Sequence, residues 1–266
     1  MSTRTQEMER TVADLTAPGK GILAADESTG TIEKRFKSVD VACTEENRRA
    51  YRELLFSTAG LGEFIGGVIL YEETLRQSTA AGLAMPRLLE RQGMLPGIKV
   101  DKGTQDLPGF PGEKITQGLD GLGQRLAEYR QLGARFAKWR AVISIGDGLP
   151  GAGAVHANAH ALARYAAICQ EQGIVPIVEP EVLMDGAHTL DDCARVTEEV
   201  LHEVFHALHR QRVAPELMLL KPNMVVPGQS CPSQASPEEV AQATLSCLRR
   251  TVPAGVRGMV FLSGRV

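Results

Sequence analysis

The sequence has no apolar run approaching the roughly 18 residues needed to cross a bilayer. Its opening stretch, 1–19, is polar and charged and lacks an apolar h-region, so no secretory signal is expected. Cysteine is scarce: five in 266 residues, an odd number, scattered and without C-x-x-C spacing. That argues against a disulfide framework or a structural zinc site and points to a reducing compartment, the cytosol by default. An excess of one charge is missing too. The formal net charge is −3, so there is no general field for nucleic acid or an anionic membrane, and any anion site must be local. No repeat of fixed period, low-complexity tract or linker is visible. What is there is an ordinary globular composition, 43% hydrophobic and 23% charged, with enough chain for a substantial core. A single domain over 1–266 is expected.

Two kinds of segment alternate along that chain. Short apolar runs at 21–25, 67–71, 97–100, 136–145, 174–178, 217–220 and 258–262 fit buried parallel strands. Between them, 44–59, 86–92, 119–131, 155–172, 190–210 and 236–249 have helical spacing. Thr44 with Asn47, and Ser236-Pro237-Glu238-Glu239, look like helix starts, and Gly133 and Gly173 sit where helices should stop. Connections from helix to strand are short. Several from strand to helix are long and rich in Gly and Pro, at 102–118, 146–154 and 224–235. Long loops at the C-terminal ends of parallel strands are where β/α folds build sites. The first strand runs into Ala24-Ala25-Asp26-Glu27-Ser28-Thr29-Gly30, which is not the dinucleotide fingerprint G-x-G-x-x-G, so a barrel is favoured over an open doubly wound sheet. The expected fold is α/β, a TIM (β/α)8-type barrel with about seven β/α units in this chain.

Ionisable groups cluster at the ends of five of these runs: Asp26 and Glu27; Lys99 and Asp101; Lys138 and Arg140; Glu179 and Glu181; and Lys221. Residues two apart on a strand face the same side, and a charge facing the helices would be costly. For any one pair, a structural ion pair is an equal alternative. For five strands with complementary signs, a catalytic site is the better reading.

Lys221 is the expected nucleophile. An amine is protonated at neutral pH, but burial and a neighbouring cation such as Lys138 would free its lone pair. It could then form a Schiff base, whose iminium accepts electrons when an adjacent carbon–carbon bond breaks. Glu179 could shuttle protons, and Asp26 could accept one from a substrate hydroxyl. A pyridoxal phosphate lysine is the alternative within enzymes, though no clear Asp partner for the ring nitrogen is evident. Lys99, Arg35, Arg48, Arg140 and Ser28, with Ser263-Gly264, offer cations and donors suited to phosphate. For Arg48 alone, a salt bridge or solvated face is favoured. The pairs His156/His160 and His202/His206 have i,i+4 spacing but lie among polar residues, without H-E-x-x-H, and read as solvated helix faces rather than metal ligands. Trp139 should point to the side of its strand opposite Lys138 and Arg140 and pack under helices.

The stretches Gly19–Gly30, Gly97–Gly103, Phe136–Arg140, Ile177–Glu181 and Leu219–Met224 closely resemble class I fructose-bisphosphate aldolase, in consistent order from about Ala17 to Gly264. The resemblance implies a metal-independent, cofactor-free (β/α)8 barrel, usually a cytoplasmic homotetramer. Its reaction splits fructose 1,6-bisphosphate into dihydroxyacetone phosphate and glyceraldehyde 3-phosphate and runs the reverse. By that resemblance Lys221 is the Schiff-base lysine and Glu179 the principal acid/base. Asp26 assists carbon–carbon cleavage and Lys138 supports the charge state. Ser28, Thr31 (serine in many members), Arg35, Lys99, Ser263 and Gly264 contact substrate or its phosphates, with Arg48, Arg140 and Glu181 near the site. No nucleic-acid or membrane partner is implied.

The likeness departs at Phe261-Leu262-Ser263-Gly264-Arg265-Val266. There the family continues into another Gly, an eighth strand, a phosphate-binding arginine and a tail ending in tyrosine. The expectation is therefore a chain stopping before the eighth strand, with two open sheet edges and weak turnover. A second function is set beside catalysis: an impaired product that acts only by binding full-length subunits.

Overall fold

The computed structural model describes residues 3–262. The chain runs α1 (Thr3–Leu15), β1 (Gly21–Ala25), α2 (Thr29–Lys37), α3 (Glu45–Phe56), α4 (Leu61–Phe64), β2 (Ile65–Leu70), α5 (Glu72–Arg76), α6 (Met85–Arg91) and β3 (Leu95–Lys99). It continues through β4 (Thr104–Asp106), β5 (Lys114–Thr116), α7 (Leu122–Gln131), β6 (Phe136–Ile143), α8 (Ala152–Glu171), β7 (Val175–Val182), α9 (Leu190–Arg210), β8 (Leu219–Leu220) and α10 (Pro237–Thr251). Six strands form one parallel sheet in the order β1-β2-β3-β6-β7-β8, with helices between successive strands. This is the β/α-barrel class, with six of the eight strands of a closed barrel. No helix among the described residues is long and apolar enough to cross a membrane.

Six of the seven expected strands are present in that sheet. The exception is 258–262, which pairs with β8 through a single bridge, Leu220 to Met259. Two hydrogen bonds make it: Leu220 N donates to Gly258 O (3.1 Å), and Val260 N to Leu220 O (2.9 Å). The reason lies in β8 itself, which is two residues long and is followed at position 222 by proline, a residue with no N–H to continue a ladder. The 102–118 connection, expected to be a loop, contains the antiparallel hairpin β4–β5.

The chain divides into two compact units. The first comprises 1–100, 123–138 and 172–175; the second comprises 101–122, 139–171 and 176–266. In the first, β2 is buried over five of its six residues, as a parallel strand covered on both faces should be. Phe136 fills the space that two glycines leave. A Cβ on Gly97 would lie 2.3 Å from the Phe136 ring, and one on Gly67 would lie 2.8 Å from it and 2.5 Å from Leu15. Phe136 and Leu15 are almost wholly buried, so neither can yield into solvent. Gly97→Ala is therefore expected to cost about 1–3 kcal/mol by overpacking, measured as a lower denaturant midpoint with unchanged m.

In the second unit, Trp139 is fully buried and stacks on Tyr165 of α8 with centroids 5.5 Å apart, the packing expected of it. The helix signals hold as well. Thr44 accepts from Asn47 N at 3.1 Å, and Ser236 forms a capping box with Glu239. Gly133 and Gly173 have φ of 115° and 72°, the left-handed region that glycine enters without steric cost.

Candidate active site

In the first unit β1 ends by delivering Asp26, which is 9% exposed, at the mouth of the strand. Its Oδ2 accepts a hydrogen bond from Lys138 Nζ at 2.9 Å. Lys138 on β6 is in register with Lys99 on β3, so the two side chains leave the same face of neighbouring strands. The Asp26 carboxylate offsets the repulsion that such a lysine pair creates. Residue 28 caps α2, and Ser28 Oγ lies 3.1 Å from Thr31 Oγ1, placing two hydroxyls at a helix N-terminus. That end of a helix also presents unpaired N–H groups, a combination that favours anions.

Two of the three arginines expected near phosphate, Arg35 and Arg48, lie in this unit and are both engaged with carboxylates. Arg35, 60% exposed, pairs with Glu27. Arg48 grips Glu73 with two hydrogen bonds, Nε to Oε1 (2.8 Å) and Nη2 to Oε2 (2.6 Å), and donates to the Cys43 carbonyl at 2.9 Å. This bidentate geometry is a structural ion pair, and it holds the Glu73 carboxyl below the ordinary carboxylate range. Between these pairs lies Arg52, an unexpected participant with no exposed surface. Burial pushes its guanidinium down from the usual value, while Glu27 and Glu73 act in the opposite sense. The signal was in α3: Arg52 is one turn before Phe56, and these two are the buried residues of that helix.

In the second unit Lys221 follows β8 directly, and its N–H donates to Val178 O at 2.8 Å. Its Nζ donates to Glu179 Oε1; the two side chains are 15% and 4% exposed. Two residues along β7, Glu181 accepts from Arg140 Nε on β6. Asn223 clamps the turn after Lys221. Its Oδ1 accepts from Val182 N (3.1 Å) and its Nδ2 donates to Thr197 Oγ1 (3.1 Å). Sequence reasoning missed this residue, because nothing local distinguishes an amide clamp from a surface asparagine.

Ser263 and Gly264 lie outside the described residues. The two i,i+4 histidine pairs, His156/His160 and His202/His206, are exposed, and His156 Nδ1 lies 2.7 Å from Glu203 Oε1. Among the described residues no group of three or more His, Cys, Asp or Glu side chains is arranged to hold a metal ion. A cleft of about 520 Å³ between α1 and α7 contains none of the expected site residues. The candidate site is drawn instead from the lysine–carboxylate pairs. Each places a potential nucleophile or cation against a proton acceptor, largely withdrawn from water.

The chain is similar to known proteins over nearly all its length. The chain matches the family described as fructose-bisphosphate aldolase class-I over residues 7–266. A probable fructose-bisphosphate aldolase class 1 of Xanthomonas campestris pv. campestris is 56% identical over 259 residues, 97% of this chain and 78% of that protein. Cytosolic fructose-bisphosphate aldolase 4 of Arabidopsis thaliana is 56% identical over 261 residues, 98% of this chain and 66% of that protein. Among solved structures, Plasmodium falciparum fructose-bisphosphate aldolase, in complex with TRAP and a small-molecule inhibitor, superposes with a TM-score of 0.97. It is 51% identical, and the match covers 100% of this chain and 77% of that one.

Proposed function

Because the chain belongs to the class I fructose-bisphosphate aldolases, we propose that it catalyses the reversible cleavage of fructose 1,6-bisphosphate through a Schiff base on Lys221. The observation that carries this reading is the contact between Lys221 Nζ and the buried Glu179 carboxylate. A strand-end amine held against a proton shuttle is the equipment for carbinolamine formation and dehydration.

The steps follow from those groups. The Lys221 amine adds to the ketone carbon, and Glu179 delivers the proton with which water departs, leaving an iminium. Both products have three carbons, so the bond that breaks lies between the third and fourth. Asp26 accepts the proton of the fourth carbon's hydroxyl as that carbon becomes an aldehyde. The bonding pair moves into the iminium, giving an enamine and releasing glyceraldehyde 3-phosphate. Protonation at the third carbon restores the iminium, and water hydrolyses it to dihydroxyacetone phosphate and free Lys221. Lys138 donates to the Asp26 carboxylate at 2.9 Å and holds it in place. Ser28, Thr31, Arg35, Lys99, Ser263 and Gly264 serve the phosphates and substrate hydroxyls, with Arg48, Arg140 and Glu181 as further substrate-binding positions. We place this activity in the cytosol and in a homotetramer, in keeping with the family resemblance.

Borohydride reduction in the presence of dihydroxyacetone phosphate, followed by peptide mapping, tests the reading without requiring fast turnover. The expected product is a reduced adduct on Lys221, formed equally well in EDTA. A label on another lysine, or loss of activity in EDTA, would overturn it. The binding-only alternative predicts no adduct at all.

A further inference from the structure

The buried guanidinium of Arg52 is placed where it can control Asp26. Among the described residues it makes one protein hydrogen bond, from Nη2 to the backbone carbonyl of Glu27 at 2.8 Å. Its nearest approaches to carboxylates are longer, 3.8 Å to Glu27 Oε2 and 3.8 Å to Glu73 Oε1, and its carbon centre lies 6.0 Å from the Tyr71 ring centroid. The short contact is therefore to the main chain. The carbonyl it holds belongs to the residue that follows Asp26, just beyond the last residue of β1.

Burying a guanidinium is costly, and a well-packed apolar side chain docks a helix as firmly or better. A staple between α3 and the sheet alone does not call for an arginine. A fixed donor to the Glu27 carbonyl does call for one. So does a permanent counter-charge for Glu27, whose other cation, Arg35, is 60% exposed. Arg52 thus holds the Glu27–Ser28 peptide by its carbonyl, one residue beyond Asp26, whose carboxylate meets Lys138 at 2.9 Å.

We infer that Arg52 is a positioning residue for carbon–carbon cleavage: by holding the Glu27 carbonyl it aims the Asp26 carboxylate at the substrate hydroxyl proton. The inference rests on the proposed role of Asp26. In the step it serves, Asp26 gains the hydroxyl proton, the carbon–carbon bond breaks and the iminium takes the electron pair. Arg52 touches none of the reacting atoms.

The test is to reduce the protein with borohydride in the presence of fructose 1,6-bisphosphate and weigh the adducts on Lys221. Reduction before cleavage leaves a six-carbon bisphosphate; reduction after cleavage leaves a three-carbon phosphate. The ratio reads the cleavage step itself, apart from folding and product release. Arg52→Met should raise the six-carbon to three-carbon ratio about tenfold or more, because a misplacement near 1 Å is enough to slow such a step. Arg52→Lys, a single-nitrogen cation, should restore it in part, and it carries the test if the methionine variant does not fold. Phe56→Leu, which loosens the same buried face of α3, should lower thermal stability and leave the ratio unchanged. An unchanged ratio in a folded Arg52 variant, or an equal rise in Phe56→Leu, would overturn the inference. Absence of any Lys221 adduct in the unsubstituted chain would instead overturn the proposed function.

Discussion

Lys221→Met should eliminate the borohydride-trapped adduct and reduce cleavage on the order of 10⁴-fold or more, since removing a covalent nucleophile closes the low-barrier route. Methionine suits this test because it nearly matches the length of the lysine stem. Lys221 is only 15% exposed and its backbone N–H is fixed to Val178 O at 2.8 Å, so the substitution leaves the β7–β8 register undisturbed. It also removes the Lys221 cation from beside Glu179, a side chain that is 4% exposed. Some loss of stability is therefore expected. The decisive measurement is single-turnover adduct formation at a temperature where circular dichroism shows the variant folded. An adduct of normal yield in Lys221→Met would remove this lysine from the mechanism.

Glu179→Gln carries the second large effect. Glutamine keeps the shape and can still accept a hydrogen bond from Lys221 Nζ, but it cannot release and regain a proton at neutral pH. A loss of about 10² to 10⁴-fold in kcat is expected, the range that general acid–base groups supply. Formation of the trapped adduct should slow in parallel, because dehydration of the carbinolamine precedes the iminium that borohydride reduces. If kcat falls while the adduct forms at its original rate, Glu179 acts later in the cycle than proposed. Separating the two rates by rapid quench gives that answer directly.

How far these residues could be read beforehand depended on whether their signals were local. β1 and α9 were legible to the residue because continuous apolar runs and amphipathic spacing are properties of adjacent positions. Asp26, Lys138, Glu179 and Lys221 were legible because a charge that interrupts a buried strand is conspicuous. The hairpin β4–β5 was not. Thr104–Asp106 is exposed along its whole length, so no hydrophobic alternation marks it. α1 and α2 were missed because polar, charged residues dominate both segments. The partners of Arg35 and Arg48 were beyond reach for another reason. Glu73 is 25 residues from Arg48 along the chain, and only the packed structure reveals that the arginine is already committed. Arg52 shows the same limit from inside a helix, where its position on the Phe56 face was visible but its partner Glu27 was not.

Phe136 lying over Gly67 and Gly97 also has a consequence for descent. Its ring occupies the volume that side chains at 67 and 97 would need, so the three positions are not free to drift independently. A larger residue at either glycine becomes tolerable only after the aromatic has shrunk, and a smaller residue at 136 opens a void that selects for growth opposite it. Substitutions along this lineage should therefore arrive in pairs, with a glycine and the phenylalanine changing together or not at all.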